Sequence, residues 1–202
     1  MTDWSELLRE IDLPSAGVDP DLADKYVRYL ILLSKWTATT NLVATSTSPR
    51  DLVVHHLADC LALIPHLGSA RRVVDVGSGG GLPGVVLAIA RPAIEVTALE
   101  PVHKKHAFLA TARRELALTN LHPLPERDDD HRERPDFSPY DVAVSRAVFA
   151  LGDWLARGLH LVHSAGLVLA MEGRDRQVLP PRAIRHPYRL TDRDRAIIAL
   201  PR

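Results

Sequence analysis

The chain has 202 residues, 46% of them hydrophobic, and its 25 basic residues balance its 25 acidic ones. This length predicts one domain with a small appendage, and the balanced charge excludes a strong global field that would draw the protein to nucleic acid or membrane. The single Cys60 excludes an internal disulfide, and no apolar run reaches the length of a bilayer span. The opening segment MTDWSELLRE is acidic and unlike a signal peptide. We therefore expect a cytoplasmic protein.

The N-terminal third of the chain predicts a helical cap. Apolar residues recur at helical spacing in stretches at about 4–11, 21–36 and 49–64, and Pro49 begins the third stretch. The segment TATTNLVATSTS, which separates the second and third helices, is rich in Thr and Ser and predicts a loop. We predict an N-terminal helical cap over residues 1–70.

From Arg71 onward strand and helix patterns alternate, which predicts an α/β core over residues 71–202. The sheet is expected to be mostly parallel, with helices on both faces. Strands are predicted at about 72–76, 94–99, 121–124, 140–145 and 166–171, with two more in the tail at about 186–191 and 195–200. Helices are predicted at about 83–90, 103–117 and 150–162. The segment 173–185 predicts a loop, and the charge run DDDHRERPD predicts an exposed surface.

The segment VVDVGSGGGLPG, residues 73–84, carries the strongest functional signal. Its order is an apolar strand, a glycine turn and the start of a helix at Pro83. Glycine lets a ligand approach the backbone closely, and a turn of this kind holds nucleotide-like ligands at the edge of an α/β sheet. A turn that binds nothing would not need so many glycines.

Three ligand classes compete for this turn. The S-adenosylmethionine pattern D-x-G-x-G-x-G, which we favour, is formed by Asp75, Gly77, Gly79 and Gly81. The dinucleotide spacing G-x-G-x-x-G also occurs within residues 79–84, so a nicotinamide cofactor is the second candidate. A phosphate loop is disfavoured because Val85 stands where its lysine belongs.

Two acids flank the turn. Glu100 ends the predicted strand AIEVTALE, at close to the spacing of roughly 20 residues expected for the acid that holds ribose hydroxyls. Asp75 either contacts the methionine amine of the cofactor, directly or through water, or only braces the turn. The sequence leaves both roles of Asp75 open.

Several segments together resemble one family, the bacterial 16S rRNA guanine-N7 methyltransferases, also called glucose-inhibited division protein B. The resemblance extends from about residue 35 to 173. Its motifs are KWTATTNLVA, HHLADCL, DVGSGGGLPG, HKKHAFL, the segment Arg127-Asp128-Asp129, and SRAV at residues 145–148.

The resemblance implies a Rossmann-like class I methyltransferase core, S-adenosylmethionine as methyl donor, and methylation of guanine N7 in small-subunit ribosomal RNA. Ribosomal RNA or the small subunit would be the partner; no membrane partner is expected and no oligomer is implied. Motif alignment places cofactor-binding positions at Gly77, Leu82, Asp128, Asp129 and Arg146. On the physical grounds above, Asp75, Gly79, Gly81 and Glu100 join them.

Arg146 is the catalytic candidate. It follows the apolar strand YDVAVS and is therefore expected at the carboxyl edge of the sheet, where its guanidinium could orient guanine or a phosphate. The alternative is a structural ion pair with an acid such as Asp75. His56 and Asp59, three residues apart on one helix face, could orient the substrate base or form a pair within the core. Asn41 is a candidate for a substrate loop. The histidines lack metal-site spacing, so no metal is expected.

The sequence leaves open which molecule accepts the methyl group. The family usually has a lysine at the end of the fifth strand, where this chain has Glu172, and the reversed charge would lie near the expected substrate mouth. The neutral net charge and short tail agree with that departure. A small-molecule acceptor is therefore the first alternative, and a non-catalytic module that binds S-adenosylmethionine or RNA is the second.

Overall fold

The computed structural model describes residues 2–173, 176–191 and 193–202. Its centre is a seven-stranded sheet in the order β3-β2-β1-β4-β5-β7-β6. The strands are β1 Arg72–Val76, β2 Glu95–Leu99, β3 Leu121–Leu124, β4 Tyr140–Ser145, β5 Val162–Glu172, β6 Ile184–Leu190 and β7 Arg193–Pro201. Strands β1 to β5 run parallel, whereas β7 is antiparallel to both β5 and β6. The α/β prediction with a mostly parallel sheet is confirmed.

The helices lie close to the predicted positions, except α7, which was not predicted. They are α1 Trp4–Leu8, α2 Ala23–Thr37, α3 Pro49–Asp51, α4 Ala58–Leu61, α5 Gly84–Ala90, α6 His103–Glu115, α7 Asp128–Arg132 and α8 Leu151–Gly158. A π-helical segment, Leu52–Leu57, joins α3 to α4. Two short 3₁₀ turns, Pro20–Leu22 and Ile64–His66, lie in the N-terminal third of the chain. None of the described helices is long and apolar enough to cross a membrane.

Side chains of neighbouring strand residues alternate between two apolar layers. Val73 packs in the layer that contains the N-terminal helices, α5 and α6, whereas Val74 packs in the layer of α8. Helices therefore cover both faces, because each parallel strand is apolar on both sides. The predicted boundary at residue 70 stays a prediction, since one buried cluster contains residues from both sides of it.

The N-terminal helices are fastened to the core by buried tyrosines. The Tyr26 hydroxyl donates to the Val86 carbonyl in α5 at 3.2 Å, and the Tyr29 hydroxyl donates to the Gly80 carbonyl at 2.6 Å. Both tyrosines are fully buried on α2. The helical cap is thereby held directly against the glycine turn.

The prediction of an exposed charge run needs correction. The charge run DDDHRERPD is not simply exposed: it contains α7, on which Asp128 and His131 are buried. His131 lies between Glu126 and the Tyr140 hydroxyl, at 2.9 and 2.8 Å, and these partners explain its burial. Positions 174 and 175 of the predicted loop 173–185 lie outside the described residues; its described residues have neither helix nor strand before β6, which begins at Ile184, two residues earlier than predicted.

Candidate functional site

The glycine turn, residues 77–84, connects β1 to α5, and Asp75 braces it. Asp75 is fully buried, and its Oδ2 accepts hydrogen bonds from the Ser78 hydroxyl at 2.5 Å and the Gly84 amide at 2.8 Å. Burial raises the pKa of Asp75 to about 6, and these two donors only partly offset that rise. Oδ1 of Asp75 has no hydrogen-bond partner among the described residues. Asp75 therefore braces the turn through Oδ2, and a contact of its Oδ1 with a ligand stays a prediction.

Gly77 brings the turn against a segment that follows β4. Its φ is +72°, and a Cβ atom there would lie 2.6 Å from Val148 Cγ2. The Gly77 amide donates to the Leu99 carbonyl at 2.9 Å, which ties the turn to the end of β2. Both the backbone conformation and this close approach require glycine.

Glu100 is buried beside the turn. Its Oε2 accepts from the Gly79 amide at 2.9 Å, and its Oε1 accepts from the Val102 amide at the same distance. The predicted ribose-binding acid thus fixes the turn as well, which the sequence did not reveal. A carboxylate has about four lone-pair positions, so Glu100 can still accept from a ligand.

Two cavities lie on either side of Val148. The first, the turn cavity, has a volume of about 290 Å³ and is lined by residues 77–80 and 82 of the glycine turn together with Leu42, His56, Lys105 and Arg146, but not by the predicted Gly81. The second, the acid cavity, has a volume of about 340 Å³ and is lined by Pro101, Asp128, Asp129, Phe149 and Arg157. Gly77 and Val148 line both cavities. Each volume is at the small end of the range of ligand pockets, roughly 300–1,000 Å³, and the two together form one interrupted cleft.

The predicted acids Asp128 and Asp129 are brought together in the acid cavity by Arg157 of α8. Arg157 Nε and Nη2 contact the two oxygens of Asp128 at 2.8 and 2.9 Å, and Nη2 also contacts Asp129 at 2.7 Å. The Arg157 guanidinium lies 5.1 Å from the Phe149 ring centroid. Sequence reasoning missed Arg157 and Phe149, because neither belongs to a recognisable motif.

The Arg146 cluster, formed by Arg146, His56, Asp59 and Tyr188, borders the turn cavity. Arg146 Nε lies 3.4 Å from Asp59 Oδ2, and Nη2 lies 3.2 Å from His56 Nδ1. The Tyr188 hydroxyl donates to Asp59 Oδ1 at 2.5 Å. The structure therefore joins the predicted residues His56, Asp59 and Arg146. The ion pair of Arg146 is formed with Asp59, and the alternative partner Asp75 is instead bonded to the turn.

His56 accepts from Arg146 as a neutral imidazole. Burial, and then the positive charge of Arg146, lower the pKa of His56 to about 4. A guanidinium has only donors, so the hydrogen bond from Arg146 requires Nδ1 to carry the lone pair. His56 lies in the π-helical segment, and such segments occur often at functional sites.

Two predicted residues differ in their relation to the cavities. Leu82 lines the turn cavity and is nearly buried, in agreement with its predicted place. Asn41 is exposed and does not line the turn cavity, whereas the neighbouring Leu42 does. A substrate contact by Asn41 stays a prediction.

Glu172 does not present a free negative charge at the mouth of the site. Its side chain is 3% exposed, Arg185 contacts both of its oxygens at 2.7 and 3.0 Å, and Arg176 lies at 3.0 Å. Burial would raise the pKa of Glu172, but the two arginines and the Gln177 amide lower it to about 2. The expectation of a reversed charge facing substrate is wrong, because tail arginines neutralise it. A Glu172→Lys change would place a third cation there and destabilise the fold.

The chain matches a known family over most of its length. The family model described as GidB, rRNA small subunit methyltransferase G, matches residues 22–178. A protein named "Ribosomal RNA small subunit methyltransferase G" from Burkholderia pseudomallei (strain 668) is 46% identical over 149 residues, and the same holds for one from Burkholderia mallei (strain NCTC 10229). Each match covers 72% of this chain and 64% of the relative, so the chain spans under two thirds of these relatives' length.

Solved structures share the fold. The O-methyltransferase TomG from Streptomyces achromogenes, solved in complex with SAM, has a TM-score of 0.61 at 16% identity and covers 100% of this chain and 99% of its own. A putative O-methyltransferase from Klebsiella pneumoniae has a TM-score of 0.60 at 15% identity, covering 91% and 90%. At these identities the likeness concerns the fold alone, and it confirms the predicted class I methyltransferase architecture. From the family match and the 46% identity, we conclude that the chain belongs to the rRNA small subunit methyltransferase G family.

Proposed function

We propose that this protein is an S-adenosylmethionine-dependent methyltransferase that methylates guanine N7 in small-subunit ribosomal RNA. The observation that carries the proposal is the interrupted cleft at the carboxyl edge of the sheet. It combines the glycine turn and Arg146 on one side of Val148 with Asp128 and Phe149 on the other. In parallel α/β sheets this edge is where ligands bind.

Residues in and beside the cleft fit the cofactor. A Cβ atom at Gly77 would collide with Val148 between the two cavities, and the Oδ1 atom of Asp75 is a buried acceptor without a partner among the described residues. We assign Asp75 to the methionine amine, directly or through water, Glu100 to the ribose hydroxyls, and Asp128 to the adenine amino group. When bound, S-adenosylmethionine supplies an already activated methyl group.

The chain's own residues need only orient the acceptor. Guanine N7 carries a lone pair at neutral pH, so no group has to remove a proton from it before attack. This agrees with His56, whose low pKa keeps it neutral and whose Nδ1 faces Arg146. Alignment of nucleophile and methyl group supplies most of the acceleration in such a reaction.

Arg146 is the residue we assign to guanine. Arg146 contacts Asp59 through Nε and His56 through Nη2 and also bonds the Cys60 thiol, whereas a guanidinium has five N–H groups. The remaining donors can bond guanine O6, the acceptor beside N7 on the same edge of the base. Lys105 lines the same cavity and is suited to a phosphate.

The acceptor is tested by supplying labelled S-adenosylmethionine together with 30S subunits, naked 16S rRNA or a metabolite extract. We expect label in the RNA, with a rate that falls steeply as salt is added, because phosphate contacts release counterions. If label is found only in low-molecular-weight material, the acceptor is a small molecule and not rRNA. Cofactor binding without any transfer would indicate a non-catalytic module.

A further inference from the structure

The tail of the chain contributes a side chain to the Arg146 cluster. Tyr188 lies on β6, at the far edge of the sheet, yet its hydroxyl reaches Asp59 on α4 at 2.5 Å. The two residues are 129 positions apart in sequence. Tyr188 also lies beyond residues 22–178, the part of the chain that matches the family. The family match therefore covers Asp59 but not the tyrosine that contacts it.

Asp59 is the link between this tyrosine and Arg146. Asp59 is buried; Tyr188 bonds its Oδ1, and Arg146 Nε approaches its Oδ2 at 3.4 Å. Arg195 Nε, from β7, lies 4.0 Å from Oδ1. Oδ1 thus faces Tyr188 and Arg195 from the tail while Oδ2 faces Arg146, so a rotation of the carboxylate that released one side would disturb the other.

The tyrosine is a donor in this arrangement. Burial, and then the negative charge of Asp59, raise the pKa of Tyr188 far above its usual range. The hydroxyl therefore remains protonated and donates to Asp59, and it cannot act as a base. Its contribution is geometric.

We propose that Tyr188 is a positioning residue, which holds Asp59 so that Asp59 in turn fixes the Arg146 guanidinium at the turn cavity. The effect on methyl transfer rests on the proposed function, whereas the effect on Arg146 does not. The tail of this chain would then set the angle at which Arg146 meets the acceptor base.

His56 reports the position of Arg146 without any assay of activity. The charged or titratable groups that act on His56 are Arg146, His55 from its own π-helical segment, Asp51 from α3, and Arg193 from β7. Arg146 is the foremost of these charges, and it lowers the pKa of His56. If Arg146 moves away, the pKa of His56 rises from about 4 toward its usual 6.5.

The test compares Tyr188→Phe with Tyr26→Phe. Each change deletes one hydroxyl that donates a hydrogen bond, but Tyr26 bonds the Val86 carbonyl and lines neither cavity. For Tyr188→Phe we expect kcat to fall by about ten-fold, since small misplacements of reacting groups are costly, while the Kd of S-adenosylmethionine is unchanged. The His56 titration, followed by NMR and assigned with a His56→Asn spectrum, should move upward. Tyr26→Phe should leave kcat and the His56 titration as in the wild type.

A second variant keeps the proposal falsifiable. In an Asp59→Asn background, Tyr188→Phe should add little further change, because the two residues act through one path. Full additivity of the two changes would overturn the proposal. So would an unchanged His56 titration in Tyr188→Phe, or equal effects of both tyrosine changes on kcat. If the wild type transfers no methyl group, the proposed function fails, and the His56 titration still decides whether Tyr188 positions Arg146.

Discussion

The glycine turn and the Arg146 cluster stand on the same sheet edge but are built differently. In the turn, Asp75 bonds Ser78 and Gly84, its neighbours in sequence, and the backbone conformation carries most of the shape. In the cluster, Arg146 meets His56, 90 positions away, and Asp59 meets Tyr188, 129 positions away. The turn is braced by its sequence neighbours and also by Glu100 and Tyr29, whereas the cluster joins residues that are 90 and 129 positions apart. Changes in the turn should therefore affect folding and cofactor affinity, and changes in the cluster should affect transfer.

The largest effect is expected from Gly81→Ala in the turn. Gly81 has a φ of +79°, and an added Cβ atom would lie 2.3 Å from Val85 Cγ2, so both strain and overpacking follow. We expect the free energy of unfolding to fall by about 2–5 kcal/mol, measured by denaturant titration. Gly152→Ala is the control, because nothing lies within 4 Å of a Cβ atom there. Similar stabilities for the two variants would contradict the description of the turn.

Asp75 makes the stability of the turn pH-dependent. Its pKa is raised from 3.8 to about 6, so between those values the folded state holds more protons than the unfolded state. The free energy of unfolding should therefore fall as pH rises from about 4 to 6, by about 2–3 kcal/mol from this group. Asp75→Asn should remove that part of the slope. Unfolding curves of the wild type and of Asp75→Asn at each pH measure this contribution. If the free energies of unfolding of the two proteins depend on pH in the same way, Asp75 does not make it.

Arg146→Lys tests whether the Arg146 cluster serves methyl transfer. Lysine keeps the charge but loses the planar fork that contacts His56 and Asp59. We expect kcat to fall by about 100-fold with little change in thermal stability or in cofactor Kd. Calorimetry and single-turnover kinetics separate these quantities. If the cofactor affinity falls by the same factor as kcat, Arg146 contacts the cofactor and not only the acceptor.

A smaller effect is expected in the acid cavity. Asp128→Asn should weaken S-adenosylmethionine binding by about ten-fold, since hydrogen bonds to charged groups contribute roughly 1.5–3 kcal/mol and Arg157 can re-pair with Asp129. Asp129→Asn is the matched change, because Asp129 is more exposed and shares only one contact with Arg157. We expect it to alter the affinity by less than about two-fold, as exposed ion pairs contribute little. Equal losses of affinity in the two variants would contradict the assignment of Asp128 to the adenine amino group.

The features that the sequence could predict are the local ones, and those that it could not predict depend on tertiary contacts. The strands β1 to β4 and the turn were predictable because apolar runs, glycines and a proline act locally. Arg146 was predictable as an edge residue because it follows a strand. Its partner was not, because the sequence offers both Asp59 and Asp75 and only the tertiary arrangement separates them. Glu172 was misread for the same reason: Arg185, on another strand, neutralises it. Tyr188 carried no sequence signal at all.

Methyl transfer to guanine N7 of small-subunit rRNA is the reaction that we propose for this cleft. The most direct measurement is nucleoside mass spectrometry of 16S rRNA after incubation with labelled S-adenosylmethionine and either the wild type or Arg146→Lys. We predict labelled 7-methylguanosine with the wild type and about 100-fold slower labelling with the variant. Unlabelled RNA, with the label either in another acceptor or in no acceptor, would contradict this proposal.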